Sequence, residues 1–171
     1  MTPGEARYAG AEIVEAPLSQ LVRAVVSVVE TESPVHETDL FGRVAGMWGS
    51  RVGSRIQARL REACRVAEQE KRIRRRGQFY WGGAHTCTVR SRAGTRIPAD
   101  RIAPEEYREA VLAVLASGHG FSRAQLINEV RAMLGFSRTG AALDEAIGAA
   151  IDGLMAEGRL GEASTGIRLR R

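Results

Sequence analysis

Residues 51–81 read RVGSRIQARLREACRVAEQEKRIRRRGQFYW, and this stretch decides the fold. Apolar residues recur at helical spacing over residues 51–69, which predicts a long amphipathic helix. After a predicted turn at Arg76-Gly77, Phe79 and Trp81 alternate onto one face, which predicts a β-hairpin. A long helix followed by a hairpin is typical of the second half of a winged helix-turn-helix module.

Two shorter helices are predicted upstream of this stretch. The first covers residues 21–31 and is ended by Ser33-Pro34, and the second covers residues 38–48 and is ended by Gly49. Three helices and a hairpin complete one winged-helix-like module.

The same order occurs a second time in the chain. An offset of 86 residues pairs Val25 with Val111, and after one inserted residue an offset of 87 pairs Arg51 with Arg138. In the second copy we expect helices over residues 107–116, 122–134 and 137–157, and a hairpin over residues 159–170 that turns near Thr165-Gly166. Ser122 is the predicted N-cap of the middle helix.

We therefore predict a mainly helical α+β fold built from tandem winged helix-turn-helix-like modules. The predicted parts are a loose N-terminal arm at residues 1–20, a basic first module at 21–82, a basic connector at 83–104 and a near-neutral second module at 105–171. Residues 86–89 are predicted to add a short strand within the connector.

The positive charge is concentrated in the first module and the connector. Residues 21–81 hold 12 basic and 7 acidic residues, residues 82–102 hold 4 and 1, and residues 103–171 hold 8 and 9. Lys71 is the only lysine, and its neighbours do not form the Gly-Lys-Ser/Thr sequence of a phosphate-binding loop. We therefore expect no nucleotide hydrolysis by this chain alone.

The arginines of the first module and the connector are candidate nucleic-acid contacts. Those of the long helix lie opposite its apolar stripe, with Arg59 at the edge, as in a recognition helix. The planar guanidinium group suits both phosphate and guanine. Tyr80 is predicted to face away from Trp81 and to contact a base or sugar. The predicted nucleic-acid-binding residues are Arg51, Arg55, Arg59, Arg61, Arg65, Arg72, Arg74, Arg75, Arg76, Tyr80, Arg90 and Arg92. The alternative interpretation is a solvated surface, partly neutralised by Glu62, Glu68 and Glu70.

The second module lacks most of these groups. The repeat replaces the basic positions of the long helix by small or acidic residues, namely Ala142, Ala146, Gly148 and Asp152. Because small residues permit close approach of helices, we expect this face to bind a partner protein or a second copy of the chain.

Catalytic and metal chemistry are not indicated. Cys64 falls on an apolar stripe and is predicted to be a buried thiol. His85 and Cys87 supply too few ligands for a structural zinc site. His36 and His119 are expected to have capping or surface roles. Trp48 and Trp81 are expected to be core and wing-base aromatic residues. We expect no enzyme activity, no metal and no cofactor.

The chain is also expected to remain outside membranes. The first residues, Met1-Thr2-Pro3-Gly4-Glu5, contain neither a basic start nor an apolar stretch, so no signal peptide is predicted. No apolar run approaches the roughly eighteen residues of a membrane span. We therefore expect a cytoplasmic location.

Several motifs together resemble a known domain. They are Val28-Val29-Glu30, Ser33-Pro34-Val35-His36-Glu37, Trp48-Gly49, Arg51-Val52-Gly53-Ser54-Arg55-Ile56, residues 72–81, Ile102-Ala103-Pro104-Glu105-Glu106 and Leu134-Gly135-Phe136-Ser137-Arg138-Thr139-Gly140. Over about residues 18–160 the chain resembles an uncharacterised bacterial domain at the C-terminal end of large superfamily-one DNA helicases, which also carry an endonuclease-like domain. The resemblance implies an accessory module of a DNA-processing or defence helicase and nuclease system. It supplies no catalytic residue, and this chain departs from the family in having no motor or nuclease segment.

Three functions are compatible with the sequence. The leading hypothesis is a non-catalytic DNA-binding accessory module that prefers duplex or junction DNA with little sequence specificity. The second is a protein-interaction or dimerisation module that docks a helicase. The third is a stand-alone winged-helix transcriptional regulator.

Overall fold

A computed structural model describes residues 12–83, 87–138 and 140–170. The chain divides into two compact units, Met1–Thr86 and Cys87–Arg171, which are described separately below. Both units combine α-helices with small antiparallel sheets, which confirms the predicted α+β class. No helix among the described residues is long and apolar enough to cross a membrane.

The first unit has the predicted order of three helices and a hairpin, with one additional strand. Its elements are α1 (Leu18–Glu32), β1 (Val35–His36), α2 (Glu37–Met47), α3 (Ser54–Gln69), β2 (Ile73–Arg76) and β3 (Phe79–Gly82). The strands form an antiparallel sheet in the order β1-β3-β2. β1 was not predicted because two residues are too few to show an alternating pattern. Its pairing of Val35 with Tyr80 makes β3 the central strand.

The core of the first unit lies between α1 and α3. α1 buries a valine-rich face that includes Val25 and Val29, and α3 buries the small residues Ala63, Cys64 and Ala67. Small side chains on α3 let the bulkier face of α1 approach closely. Cys64 is buried as predicted.

Part of the predicted N-terminal arm packs against the first unit and is not loose. Ile13 and Ala16 are buried in the core of the first unit, and α1 begins at Leu18. The predicted looseness is therefore wrong for residues 12–20, and the reason is the apolar surface that Ile13 buries. Residues 1–11 lie outside the described part of the chain.

His36 is the N-cap of α2, which is one of the two roles expected for it. Its Nδ1 accepts a hydrogen bond from the backbone N–H of Thr38 at 3.2 Å, and its Nε2 donates to Oε1 of Gln78 at 2.7 Å. The backbone N–H of Glu37 also donates to the carbonyl of Gln78 at 2.8 Å. These bonds attach the turn between β2 and β3 to the start of α2. We call the hairpin of β2 and β3 the wing.

The second unit repeats the order of the first. It contains a 3₁₀ turn (Ala99–Arg101), α4 (Pro104–Leu115), α5 (Arg123–Met133), α6 (Ala141–Ala156), β4 (Leu160–Ala163) and β5 (Gly166–Leu169). The predicted N-cap at Ser122 is confirmed and is completed by Gln125 in a reciprocal capping box. A single bridge pairs Phe121 with Ile167, and the repeat places these two residues at the positions of Val35 and Tyr80 in the first unit.

Both third helices begin later than predicted. α3 begins at Ser54 and α6 at Ala141, each directly after a glycine N-cap, Gly53 or Gly140. Glycine is tolerated at an N-cap and often precedes a helix. Arg51 therefore lies in the turn before α3 rather than on the helix.

From Cys87 onward the predicted connector belongs to the second unit. Cys87 to Val89 form no strand, and Thr86 lies outside the described residues. Arg92 is 7% exposed, and both of its terminal nitrogens contact the carboxylate of Glu106, which is 0% exposed. The backbone N–H of Arg90 donates to the same carboxylate at 2.8 Å. The prediction that Arg92 contacts nucleic acid is wrong, because a buried glutamate requires this partner.

Replacing Arg92 with alanine is expected to destabilise the second unit by about 3 to 5 kcal/mol, since the charge of Glu106 would remain buried without its main partner. Urea denaturation of the full chain, followed by circular dichroism, measures this loss. Arg96→Ala is the matched control, because Arg96 is exposed on the same segment, and it is expected to change stability by less than about 0.5 kcal/mol. Equal stability of Arg92→Ala and the wild type would contradict the buried ion pair.

Candidate nucleic-acid interface

The outward surface of α3 and its preceding turn carries exposed arginines. Arg55, Arg61 and Arg65 are exposed on the helix, and Arg51 is exposed in the turn. Among the described residues, no hydrogen bond or ion pair engages Arg51, Arg55 or Arg65. Their guanidinium groups therefore face solvent with all donors available.

Arg59 has a structural role instead. Its Nη1 donates to Glu62 at 2.7 Å and its Nη2 donates to the carbonyl of Ala16 at 2.9 Å. These bonds attach α3 to the segment before α1. These bonds give Arg59 a role in the fold, and its contact with nucleic acid stays a prediction.

The wing presents three consecutive exposed arginines on β2. Arg75 donates from Nε to the carbonyl of Gly77 at 2.9 Å and lies over the ring of Tyr80, with 5.6 Å from its Cζ to the ring centroid. Arg76 lies over the ring of Trp81 at 5.1 Å. Such contacts hold a guanidinium group over the aromatic face and leave its edge accessible. Arg74 is exposed, and no contact within the described residues restrains its side chain.

The turn of the wing requires a glycine. Gly77 has a φ of 58°, in the left-handed region that other residues adopt at a cost. β2 ends at Arg76 and β3 begins at Phe79, so the turn consists of Gly77 and Gln78 rather than Arg76 and Gly77.

Glu37 connects α3 with the wing. One carboxylate oxygen accepts from Arg61 at 2.8 Å, and the other lies 3.3 Å from Nη2 of Arg75. The hydroxyl of Tyr80 donates to this second oxygen at 3.4 Å. We call Glu37, Arg61, Arg75 and Tyr80 the Glu37 cluster. The hydrogen bond to Glu37 raises the pKa of Arg61 above its usual value.

The sequence analysis did not identify Glu37 as part of the surface. An acidic residue in the first turn of a helix is favourable to the helix dipole, and this local role is sufficient to explain its presence. Its contacts with Arg61 and Arg75, which lie 24 and 38 positions later, depend on the order of the strands in the sheet. The sequence pattern does not give this order.

Tyr80 is buried, so its predicted contact with a base or sugar is wrong. Its ring is 1% exposed, and Trp81 on the opposite face of β3 is 3% exposed. The prediction assumed that one face of the hairpin is solvated, but β3 is the central strand and both of its faces are covered. Burial raises the pKa of Tyr80 far above its usual value. Trp48 and Trp81 are buried as predicted.

The remaining predicted arginines, one in each unit, lie near carboxylates. Arg72 is exposed and lies 3.6 Å from the carboxylate of Glu70. Arg90 is one-third exposed, and its Nη2 lies 3.4 Å from Glu106. Arg90 and Arg92 thus serve the fold of the second unit.

Two helix arginines of the second unit are paired with carboxylates of α6 or its C-cap. Arg123 makes two hydrogen bonds to the carboxylate of Asp152, at 2.6 and 2.9 Å, and Arg108 contacts Glu157. These bonds lower the pKa values of Asp152 and Glu157. The repeat places Asp152 at the position of Arg65, so the same helix face carries opposite charge in the two units.

The small-residue face of α6 is only partly open. Gly148 is buried, and its carbonyl accepts a hydrogen bond from Arg123 at 3.2 Å. The prediction that Gly148 lies on the exposed face is therefore wrong. Ala146 is half-buried and packs against the core. Ala142, Ala149 and Ala156 are exposed, at intervals of two helical turns.

The described residues contain no group of three or more metal-binding side chains. Both cysteines are free. Burial raises the pKa of Cys64 to about 12 and that of Cys87 to about 11. Both thiols are therefore protonated at neutral pH.

Comparison with protein families gives a match within the first unit. A family model described as "Protein of unknown function (DUF3320)" matches residues 11–58, which include α1, β1, α2 and the start of α3. No curated protein matches the chain. The match supports the resemblance to an uncharacterised domain family, and it ends before the wing.

Alkylation tests the state of the two thiols. The reactive form of a cysteine is the thiolate, and a raised pKa lowers the fraction of thiolate at a given pH. We therefore expect both cysteines to react with iodoacetamide at pH 8 far more slowly than a model thiol of pKa about 8.5. Cys87, half-buried and with the lower pKa, is expected to react first as the pH rises toward 11. Mass spectrometry of timed samples gives the two rates, and unfolded protein in urea is the control. Rapid modification of Cys64 in the folded protein would contradict its burial.

Proposed function

We propose that this chain is a non-catalytic nucleic-acid-binding accessory module, and that its ligand is duplex or junction DNA bound with little sequence specificity. The observation that carries the proposal is the surface formed by the turn before α3, the outer face of α3 and β2. Arg51, Arg55, Arg65 and Arg74 on this surface are exposed and have no partner within the described residues. Unpaired guanidinium groups at the recognition helix and wing suit the regularly spaced phosphates of a duplex.

The second unit provides an internal comparison. It has the same order of elements, yet its third helix, α6, carries no arginine, and the position of Arg65 is occupied by Asp152, which binds Arg123. The difference is not a general property of an arginine-rich sequence. It favours the first unit as the binding unit.

Weak sequence preference follows from the side chains at the start of α3. In helix-turn-helix proteins the first residues of the recognition helix contact base edges. Here the exposed residues are Ser54, Arg55 and Ala58, of which only Arg55 is long enough for two hydrogen bonds to guanine. Most of the binding free energy is therefore assigned to phosphates.

The proposed setting is a helicase or nuclease system. It is supported by the resemblance of residues 18–160 to a domain of large DNA helicases, while the matched family itself has no assigned function. Co-purification of the tagged full chain with a superfamily-one helicase from the same genome tests this association.

Salt-dependent affinity tests the DNA proposal. With about four to six phosphates engaged, the logarithm of the association constant for a labelled duplex is expected to fall with the logarithm of salt concentration at a slope near −4 to −5. Arg51→Ala and Arg74→Ala are each expected to reduce this slope by up to about one, because each removes one phosphate contact. Fluorescence anisotropy between about 50 and 200 mM salt measures the slope.

Arg138→Ala is the matched control for this experiment. The repeat places Arg138 at the position of Arg51, and it is also exposed. The same change in charge in the second unit is expected to leave the slope nearly unchanged. Absence of binding at ~50 mM salt, or an equal effect of Arg51→Ala and Arg138→Ala, would overturn the assignment to the first unit.

A second candidate function, self-association through the second unit, is favoured by the exposed alanines of α6. Ala142, Ala149 and Ala156 would allow the helices of two copies to approach closely, and Met133 at the end of α5 is 38% exposed. The same face would equally suit a helix of a helicase.

If α6 forms a dimer interface, the full chain is expected to show twice its monomer mass in light scattering, and Ala149→Glu is expected to return it to the monomer. A glutamate at this central position would bury an unpaired charge at the interface. Ser117→Glu, a change on an exposed residue outside α6, is the control. A monomeric wild type at high concentration would rule out dimerisation.

A further inference from the structure

Arg61 and Arg75 are the two arginines of the surface that share a partner. Arg61 lies on α3 and Arg75 on β2, and the two contact opposite oxygens of the Glu37 carboxylate, at 2.8 and 3.3 Å. The side chains of Arg61 and Arg75 are nevertheless 52% and 46% exposed, whereas that of Glu37 is 13% exposed. The carboxylate thus lies beneath two guanidinium groups that reach solvent.

Both guanidinium groups keep donors for a ligand. Arg61 uses Nε and Nη2 toward Glu37, so its Nη1 is available. Arg75 uses Nε toward the carbonyl of Gly77 and Nη2 toward Glu37, so its Nη1 is also available. An arginine that is held by a carboxylate on one edge can still donate to a phosphate from the other, because the guanidinium group is planar and has donors on several sides.

On the basis of the proposed function, we propose that Arg61 and Arg75 bind one backbone phosphate between the recognition helix and the wing, and that Glu37 is the residue that positions them. Glu37 fixes both arginines before the ligand arrives, so less side-chain entropy is lost on binding. The negative charge of Glu37 is itself stabilised by the two arginines, by the hydroxyl of Tyr80 and by the N-terminus of α2.

The opposite role for Glu37 would be competition, in which the carboxylate stands in for a phosphate and is displaced by it. Displacement would leave a carboxylate that is 13% exposed without its two cationic partners, which is costly. The arrangement therefore favours a phosphate that joins the cluster over one that replaces Glu37.

The two roles predict effects of opposite sign for Glu37→Gln. Removing a negative charge from a DNA-binding surface ordinarily strengthens binding. If Glu37 positions the arginines, Glu37→Gln is instead expected to weaken binding to a labelled duplex at least about fivefold, because two long side chains must then be ordered on binding. Glu62→Gln is the matched control: it removes the same charge from α3 beside Arg61, and it is expected to leave the dissociation constant unchanged or lower it.

A second measurement separates positioning from a general effect on the fold. In a variant that already carries Arg61→Ala and Arg75→Ala, Glu37 has no arginine to position. Glu37→Gln is then expected to have no weakening effect and to behave like Glu62→Gln. An equal loss of affinity in this background would show a structural role and overturn the inference.

Lysine substitutions give the test if Glu37→Gln does not fold, as judged by thermal denaturation. Arg61→Lys keeps the charge but cannot donate to Glu37 and to a phosphate from separate edges, and it is expected to weaken binding at least about threefold. Arg65→Lys on the same helix, where no carboxylate is engaged, is expected to change affinity less than about twofold. Equal effects of the two changes would overturn the inference.

The outcomes also separate this inference from the proposed function. If the wild-type chain binds neither duplex nor junction DNA, the proposed function fails and the phosphate site fails with it. If the wild type binds and Glu37→Gln binds as tightly or more tightly, only the role of Glu37 is overturned.

Discussion

The antiparallel pairing of β1 with β3 is the constraint on which the first unit depends. Two residues, Val35 and His36, pair with Tyr80 and Phe79 and thereby attach the wing to the start of α2. The pairing makes β3 the central strand, and Tyr80 on this strand is buried in the core of the first unit. It also places Glu37, the first residue of α2, between an arginine of α3 and an arginine of β2. Without it the wing would be a two-stranded hairpin, which has little stability alone.

Much of the fold could be predicted from the sequence because its signals are local and occur twice. Helical spacing of apolar residues located all the major helices, and turn residues located both hairpins. The internal repeat added information that a single module would not give, because the same order of elements is expected in both copies. The structure repeats even the contact between Val35 and Tyr80, which corresponds to that between Phe121 and Ile167. The starts of α3 and α6 were missed by a few residues because of local glycine N-caps, whereas the larger failures concerned contacts between residues distant in sequence.

The candidate site illustrates the same limit. A helical wheel correctly placed Arg55, Arg61 and Arg65 on the outer face of α3, because the position of a side chain on a helix follows from residue number alone. It did not indicate that Arg59 holds the carbonyl of Ala16, or that Arg92 is buried against Glu106. Those assignments depend on which segment packs beside the arginine. Composition showed that the region is basic, and only the three-dimensional arrangement distinguishes arginines that stabilise the fold from arginines that face solvent.

The two units differ in how each treats its arginines. In the second unit Arg123 and Arg108 are bound by exposed carboxylates, whose ion pairs contribute little to stability because water and salt screen them. Their main consequence is that the helix face around Asp152 carries no unpaired arginine. In the first unit the Glu37 carboxylate, which contacts two arginines, is largely covered, while the guanidinium groups reach solvent. Pairing thus removes positive charge from one surface and orients it on the other. The position occupied by Arg65 in one copy and Asp152 in the other fits this division, in which the nearly identical order of elements carries two different electrostatic surfaces.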